Sequence, residues 1–272
     1  FLAPLLERLL DRALGRGVPL ESLRDVVRAF DLDERKVESS RLLVCDALEM
    51  AGADPSLAFE LAQIWITHGD YLLSHDDAPV DIVIGNPPYI RYADMGPGQF
   101  ALYQETWRTL AGRGDIYVGF WEKALASLKP GGVAAFICAD RWMRNSYGGK
   151  LRELVGERYS VRAVWSMHDV DAFEASVSAY PAITVIANEP QRHVAIAETT
   201  KAFGALSASQ LAHWTLSGSS KGLTGDGFEA HKLAHWYRGS GLWPTGSPER
   251  LALLDQLDQL PTLEQAGVRV GI

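Results

Sequence analysis

Short runs that are apolar at nearly every position alternate along this chain with stretches in which apolar residues recur every three or four positions. The runs are Val26 to Phe30, Ile64-Trp65-Ile66-Thr67, Asp81-Ile82-Val83-Ile84-Gly85, Val133 to Cys138, Val161 to Ser166 and Ala182 to Ala187, the last two strands expected. Helical spacing marks Leu2, Leu5, Leu6, Leu9, Leu10 and Leu14, then a short segment at Leu20 to Arg24. A helix is expected from Glu34 to Met50, capped by Asp33 and stopped at Gly52. Others are expected from Ile116 to Leu128, closed by Pro130-Gly131-Gly132, and over Leu151 to Val155. Strands without a polar face are buried on both sides. The expectation is therefore an α/β fold, a mostly parallel sheet flanked by helices. Such sheets bind ligands at the carboxyl ends of their strands, which points to Asp31, Asp70, Asn86 to Tyr89 and the stretch after Cys138.

From about Glu198 the texture changes, and residues 203–226 are rich in Gly, Ser, Thr and Ala. Leu251, Leu253, Leu254, Leu257 and Leu260 then suggest a short helix. The expected division is a domain over 1–195 and a linker with the start of a second domain over 196–272. No apolar run reaches the roughly 20 residues that span a bilayer, so no membrane role is expected. The two cysteines, Cys45 and Cys138, both lie in apolar runs; no disulfide framework is expected, and a reducing cytoplasm is the default. The net charge of −8 argues against a passive nucleic-acid coat, yet it leaves room for an enzyme with one basic face. The chain opens on Phe1-Leu2 inside a helical pattern and closes on Val268-Arg269-Val270-Gly271-Ile272, like a strand beginning. A fragment is expected on that ground.

The segment that carries chemistry is Asp81-Ile82-Val83-Ile84-Gly85-Asn86-Pro87-Pro88-Tyr89. A strand delivers an Asn amide to the sheet edge. Two prolines then fix the backbone and remove two N–H donors, which leaves carbonyl oxygens as acceptors. The Asn86 side-chain oxygen and the Pro87 carbonyl form an acceptor pair suited to an NH₂ group, and Tyr89 offers a flat face. Together they suit a planar amine. The plain alternative is a strand ending in a Pro-Pro turn with a core tyrosine; the apolar strand directly before Asn86 weighs against it.

These residues resemble motif IV of the amino-group methyltransferases that use S-adenosyl-L-methionine, and specifically the gamma-class DNA N6-adenine methyltransferases, which include the Taq-type enzymes and the methylase parts of type IIG restriction–modification proteins. The likeness covers most of residues 1 to 190. Gly114-Asp115-Ile116-Tyr117 with Phe120-Trp121-Glu122-Lys123-Ala124 resembles their next helix, and Leu128-Lys129-Pro130-Gly131-Gly132 with Val133 to Ile137 their next strand. Asp140-Arg141-Trp142-Met143-Arg144 is similar to the stretch beyond it. Asp171-Ala172-Phe173-Glu174 before Ala182-Ile183-Thr184-Val185 resembles motif VIII and the last strand.

The resemblance implies a class I methyltransferase, Rossmann-like fold with seven strands, the first lying upstream of Phe1. It implies that Asn86 and the Pro87 carbonyl, with Pro88 stiffening the turn, hold the N6 amino group of an adenine flipped out of double-stranded DNA. Tyr89 and Phe173 would stack on that base. Asp31 would take the cofactor ribose, Asp70 its adenine, and Asn86 would lie beside the methyl donor. Ile116 and Tyr117 stand between adenine contact and helix core. Arg91, Arg141 and Arg144 are candidates for DNA phosphates, and a fused or separate restriction nuclease or specificity subunit is an implied partner.

The sequence departs from the family at its front. The Gly-rich motif I loop is missing, and Phe1 to Glu7 resembles the helix that follows it. At the back, Leu260-Pro261-Thr262-Leu263 and Val268 to Ile272 resemble the start of a target-recognition domain. The same tetrapeptide chemistry also serves cytosine-N4, protein-glutamine N5 and RNA guanine-N2 methyltransferases, and a non-catalytic methyltransferase-like subunit is a further alternative. Seven scattered histidines give no metal site. His231 and His235, four apart as on one helix face, lack a third ligand.

Overall fold

The structure, a computed structural model, describes residues 1–75, 78–110, 112–168, 170, 180–244, 246–258 and 260–261. It divides into two compact units, Phe1–Asp76 and Asp77–Ile272.

In the first unit, helix α1 (Leu2–Gly15) buries Leu6, Leu10 and Ala13 on one stripe. A 3-10 turn over Leu20–Leu23 follows, matching the short helical segment expected there. Strand β1 (Ala29–Asp31) is shorter and later than the Val26–Phe30 run suggested. Val27 is buried as core ahead of it, and Val26 faces solvent. Helix α2 (Glu34–Met50) has the expected bounds; the Asp33 side chain accepts from the Arg35 N–H, and Gly52 follows the helix end with φ +98°.

The run Ile64-Trp65-Ile66-Thr67 is not one strand. Ile64 and Trp65 close helix α3 (Pro55–Trp65), and strand β2 (Ile66–His68) begins after them. Asp54 caps α3 from its first turn, and Pro55 supplies the preset φ, so a strong start signal precedes the apolar run. Trp65 is fully buried, and its indole N–H donates to the carbonyls of Leu23 and Arg24. Strands β1 and β2 pair in parallel, with Asp31 opposite His68.

The second unit is built on a seven-stranded sheet. Its strands are β3 (Val80–Gly85), β4 (Leu128–Ala139), β5 (Ser160–Ser166), β6 (Pro181–Ala187), β7 (Val194–Thr199), β8 (Leu223–Gly225) and β9 (Phe228–Leu233). They are ordered β3-β4-β6-β5-β7-β9-β8. The parallel character holds for β3/β4 and β5/β7, while β6, β8 and β9 run antiparallel to their neighbours. Helices α4 (Pro97–Thr106), α5 (Tyr117–Ala126), α6 (Arg141–Arg144), α7 (Gly149–Arg158), α8 (Ala205–Leu216) and α9 (Pro248–Asp258) complete the unit.

Two sequence expectations change here. Helix α5 ends at Ala126, and Leu128 to Gly132 open β4 rather than forming a turn before it. Gly132 lies against β3: a Cβ there would stand 2.9 Å from the Lys129 carbonyl oxygen and 3.1 Å from that of Val80. Ala182 to Ala187 is also not the end of the sheet. Residue 195 falls inside β7, which pairs with β5 and carries the sheet past the expected boundary. Small alanines at 195 and 197 hid β7, because alanine has little strand preference; both are buried against Phe203, Leu211 and Phe228. The segment Val268–Ile272 lies outside the described residues. No helix among the described residues is long and apolar enough to cross a membrane.

Candidate active site

Strand β3 ends at Gly85, opposite Phe136 of β4, and the chain leaves the sheet there. Asn86 is exposed, Pro87 is buried, and Pro88 and Tyr89 are half-buried. The burial of Pro87 anchors the turn while its neighbour stays open. Tyr89 points its hydroxyl toward the Ile137 carbonyl at 3.5 Å and meets the edge of Tyr117 at a ring separation of 6.5 Å. Burial raises the Tyr89 phenol far above its ordinary range, with the Cys138 thiol adding to it, so the ring enters any reaction neutral. The Ile116 N–H donates to the Ile90 carbonyl at 3.0 Å, tying the turn to the start of α5.

Beneath Tyr89 lies a polar cluster assembled from distant parts of the chain. Tyr117 and Tyr147 share a hydrogen bond of 2.5 Å, and the Tyr147 hydroxyl donates to Asp115 Oδ2 at 3.1 Å. Tyr117 is buried, so it belongs to the helix core. Burial and the neighbouring hydroxyl and carboxylate keep it protonated. Only the spacing of Asp115 and Tyr117 was visible beforehand, since Tyr147 arrives from beyond β4.

The arginines are placed unevenly. Arg91 forms an exposed ion pair with Asp94 at 2.9 Å. Arg141, half-buried, opens α6 directly after Asp140, and Arg144 donates to Asp140 at 2.7 Å. Phe173 lies outside the described residues. His231 sits in strand β9 and bonds Glu229, so it shares no helix face with His235.

The two acidic candidates for the cofactor lie in the first unit, at one end of the parallel pair β1/β2. Asp31 ends β1, and its Oδ1 accepts the Asp33 N–H at 2.9 Å. Asp70 stands two residues past β2, and its Oδ1 accepts the Leu72 N–H at 2.9 Å. Each carboxylate is thus oriented by a local backbone bond. The rings of Phe30 and Tyr71, flanking these acids in sequence, lie 5.7 Å apart.

Comparison with known proteins agrees with this architecture. The chain is 37% identical over its whole length to the type II methyltransferase M.PaeR7I of Pseudomonas aeruginosa, covering 47% of that protein. It is 34% identical to M.XhoI of Xanthomonas vasicola, again over its whole length, covering 50%. The chain therefore spans about half the length of these relatives. A nuclease-deletion mutant of the type ISP restriction–modification enzyme LlaGI, solved with a DNA substrate mimic, shares the fold. Its TM-score is 0.55 at 13% identity, over 79% of this chain and 22% of that one. The profile of the Eco57I restriction-modification methylases matches residues 30–173, more than half of the chain and the stretch that holds Asp31, Asp70 and Asn86 to Tyr89, and the chain belongs to that family.

Proposed function

We propose that the protein containing this chain methylates the N6 amino group of adenine in double-stranded DNA, with S-adenosyl-L-methionine as methyl donor, as the modification enzyme of a restriction–modification system. The observation that carries this reading is the turn at the end of β3, which exposes Asn86, buries Pro87 and holds Tyr89 half-buried on Tyr117. Asn86 Oδ1 and the Pro87 carbonyl accept the two N–H groups of the target amine. Accepting both draws the nitrogen lone pair out of conjugation with the ring, so it becomes nucleophilic without first losing a proton. The proline turn fixes the Pro87 carbonyl before the base arrives, so little backbone reorganisation is needed at the moment of reaction. Tyr89 and Phe173 take the faces of the base, which has been flipped out of the duplex.

The bound cofactor supplies an electrophilic methyl group. The residues present fit its polar half: Asp31 offers a carboxylate for two vicinal hydroxyls, and Asp70 one for an exocyclic amine. Arg91, Arg141 and Arg144 serve the DNA phosphates, a role that is sequence-independent and weakens with salt. The catalytic part is read as 1–195 together with the remainder of β7 and with β8 and β9 of the same sheet, and the residues after them lead toward the part that reads DNA sequence. A nuclease or specificity subunit is the expected partner. The test is tritium transfer from labelled cofactor to mixed-sequence DNA by the full-length protein, followed by nucleoside analysis. Label in N6-methyladenine is the expected result; label in N4-methylcytosine, or none, overturns the assignment.

A further inference from the structure

Asp115, Tyr117 and Tyr147 meet beneath Tyr89, and the chemistry of their groups fixes the direction of the hydrogen bonds. A carboxylate only accepts, so the Tyr147 hydroxyl gives its one proton to Asp115 Oδ2 at 3.1 Å. The Tyr117 hydroxyl is then the donor in the 2.5 Å bond between the two phenols. The result is one ordered chain that runs from Tyr117 through Tyr147 to Asp115. Because it ends on a carboxylate, it is stronger than a chain of neutral groups.

Two glycines let Tyr147 reach this place. Tyr147 lies in the 3-10 turn Ser146–Gly148 that follows α6. At Gly148 a Cβ would stand 1.8 Å from the Trp142 carbonyl oxygen, so only glycine lets the turn close onto α6. At Gly114 a Cβ would stand 3.3 Å from Tyr147 Cδ2, so the ring lies against the residue that precedes Asp115. Tyr117, which receives the turn, is 1% exposed. Its two ends have different neighbours. The hydroxyl is held by the chain, while the ring meets the Tyr89 ring at 6.5 Å and 61°. An edge-to-face contact of this kind lets one ring set the angle of the other.

We infer that Asp115 and Tyr147 are positioning residues of the candidate active site: by holding the Tyr117 hydroxyl, they set the plane that Tyr89 presents to the substrate base. The inference rests on the methyltransferase reading and deepens it. Neither residue acts on the reacting atoms. Their effect on transfer passes through the Tyr117 ring to Tyr89.

The test uses the full-length protein, plasmid DNA and tritiated S-adenosyl-L-methionine, with transfer expressed per folded molecule. Tyr147→Phe keeps the ring and removes only the hydroxyl. It should lower kcat/KM for DNA about fivefold, the size of one hydrogen bond, and leave KM for the cofactor unchanged. Asp115→Leu, which removes the acceptor, should do the same. Asp115→Asn keeps an oxygen acceptor for the Tyr147 hydroxyl and should recover most of that loss. Added to Tyr89→Ala, Tyr147→Phe should cost nothing further, because residues that act through one another are not additive. Undiminished transfer in Tyr147→Phe, additive losses in the double variant, a raised KM for the cofactor, or Asp115→Asn as impaired as Asp115→Leu would each overturn the inference. Wild-type protein that transfers no label to DNA sinks the methyltransferase reading itself; an active wild type with additive variants sinks only the positioning role.

Discussion

The turn from Asn86 to Asp94 and the packing around Arg152 belong to the same unit and are held in opposite ways. In the turn, Asn86 and Arg91 are exposed, and the Arg91–Asp94 pair lies on the surface. Arg152 is instead enclosed: the residue is 2% accessible, and its guanidinium donates to the carbonyls of Trp142, Asn145, Ser240 and Gly241. Trp142 and Trp243 are fully buried and meet edge to face at 4.9 Å, and the Trp243 N–H donates to the Met143 carbonyl at 2.8 Å. Arg152 thus ties residues 240–243 to α6 and α7. The difference separates two tasks. A group that must grip a ligand stays open and contributes little to folding. A group whose polar atoms all face protein holds the chain together, and its loss is felt everywhere.

Substitutions can break that contrast. The largest expected effect is from Arg152→Leu, which leaves four carbonyls, that of the buried Trp142 among them, without this donor and should cost about 3 kcal/mol. Thermal or urea unfolding would read it, with transfer activity falling only as the folded fraction falls. Arg152→Lys should restore less than half of the loss, because an ammonium lacks the planar fork that reaches several carbonyls at once. Activity lost at unchanged stability would erase the distinction between the two regions.

Asn86→Ala is the converse. Removing one acceptor should lower transfer by about 10²–10³, while the unfolding free energy stays within about 0.5 kcal/mol of wild type because the side chain is exposed. Residual activity near wild type would remove Asn86 from the chemistry. Tyr89 lies between the two regimes. Tyr89→Ala should lose the stacking face, worth about 1–3 kcal/mol in DNA affinity. Tyr89→Phe should stay within a few-fold, since the hydroxyl's bond to the Ile137 carbonyl is long, at 3.5 Å; a large loss in Tyr89→Phe would assign the hydroxyl a direct role.

The smallest effect concerns Cys138, on β4 between the two regions. Burial pushes its thiol up to about 12. Native protein should therefore resist alkylation at pH 8, where the thiol is neutral and enclosed. In the unfolded chain the thiol ionises near the ordinary 9.0. The folded state holds that proton more tightly, so this contribution to stability is complete below about pH 9 and declines as pH rises toward 12. Rapid alkylation of folded protein would show that β4 opens far more readily than its burial indicates.

Much of the site could be read in advance. An apolar strand ending in Asn-Pro-Pro-Tyr states its own geometry, because proline fixes the backbone wherever it occurs. Asp33, Asp54 and Gly52 act through bonds to residues two to four positions away, and such signals survive in a linear text. Helix α3 carries such a start, yet its apolar end merges into β2, so Ile64 to Thr67 reads as one strand. Strands β7 to β9 were illegible for another reason. Their alanines, glycines and short runs carry little preference of their own, and they become strands by pairing with β5 and with each other.

The sequence by itself determined the short-range features: helix starts and stops, the proline turn, and the acids at the ends of β1 and β2. Each follows from one residue's own conformational limits or from bonds to near neighbours. Tertiary structure alone decided which strands are adjacent, that Asp140 faces His168 rather than capping its own helix, and that Arg152 meets Ser240 eighty-eight positions away. Those contacts join residues far apart in the chain, and no local preference encodes a partner that only the completed sheet brings within reach.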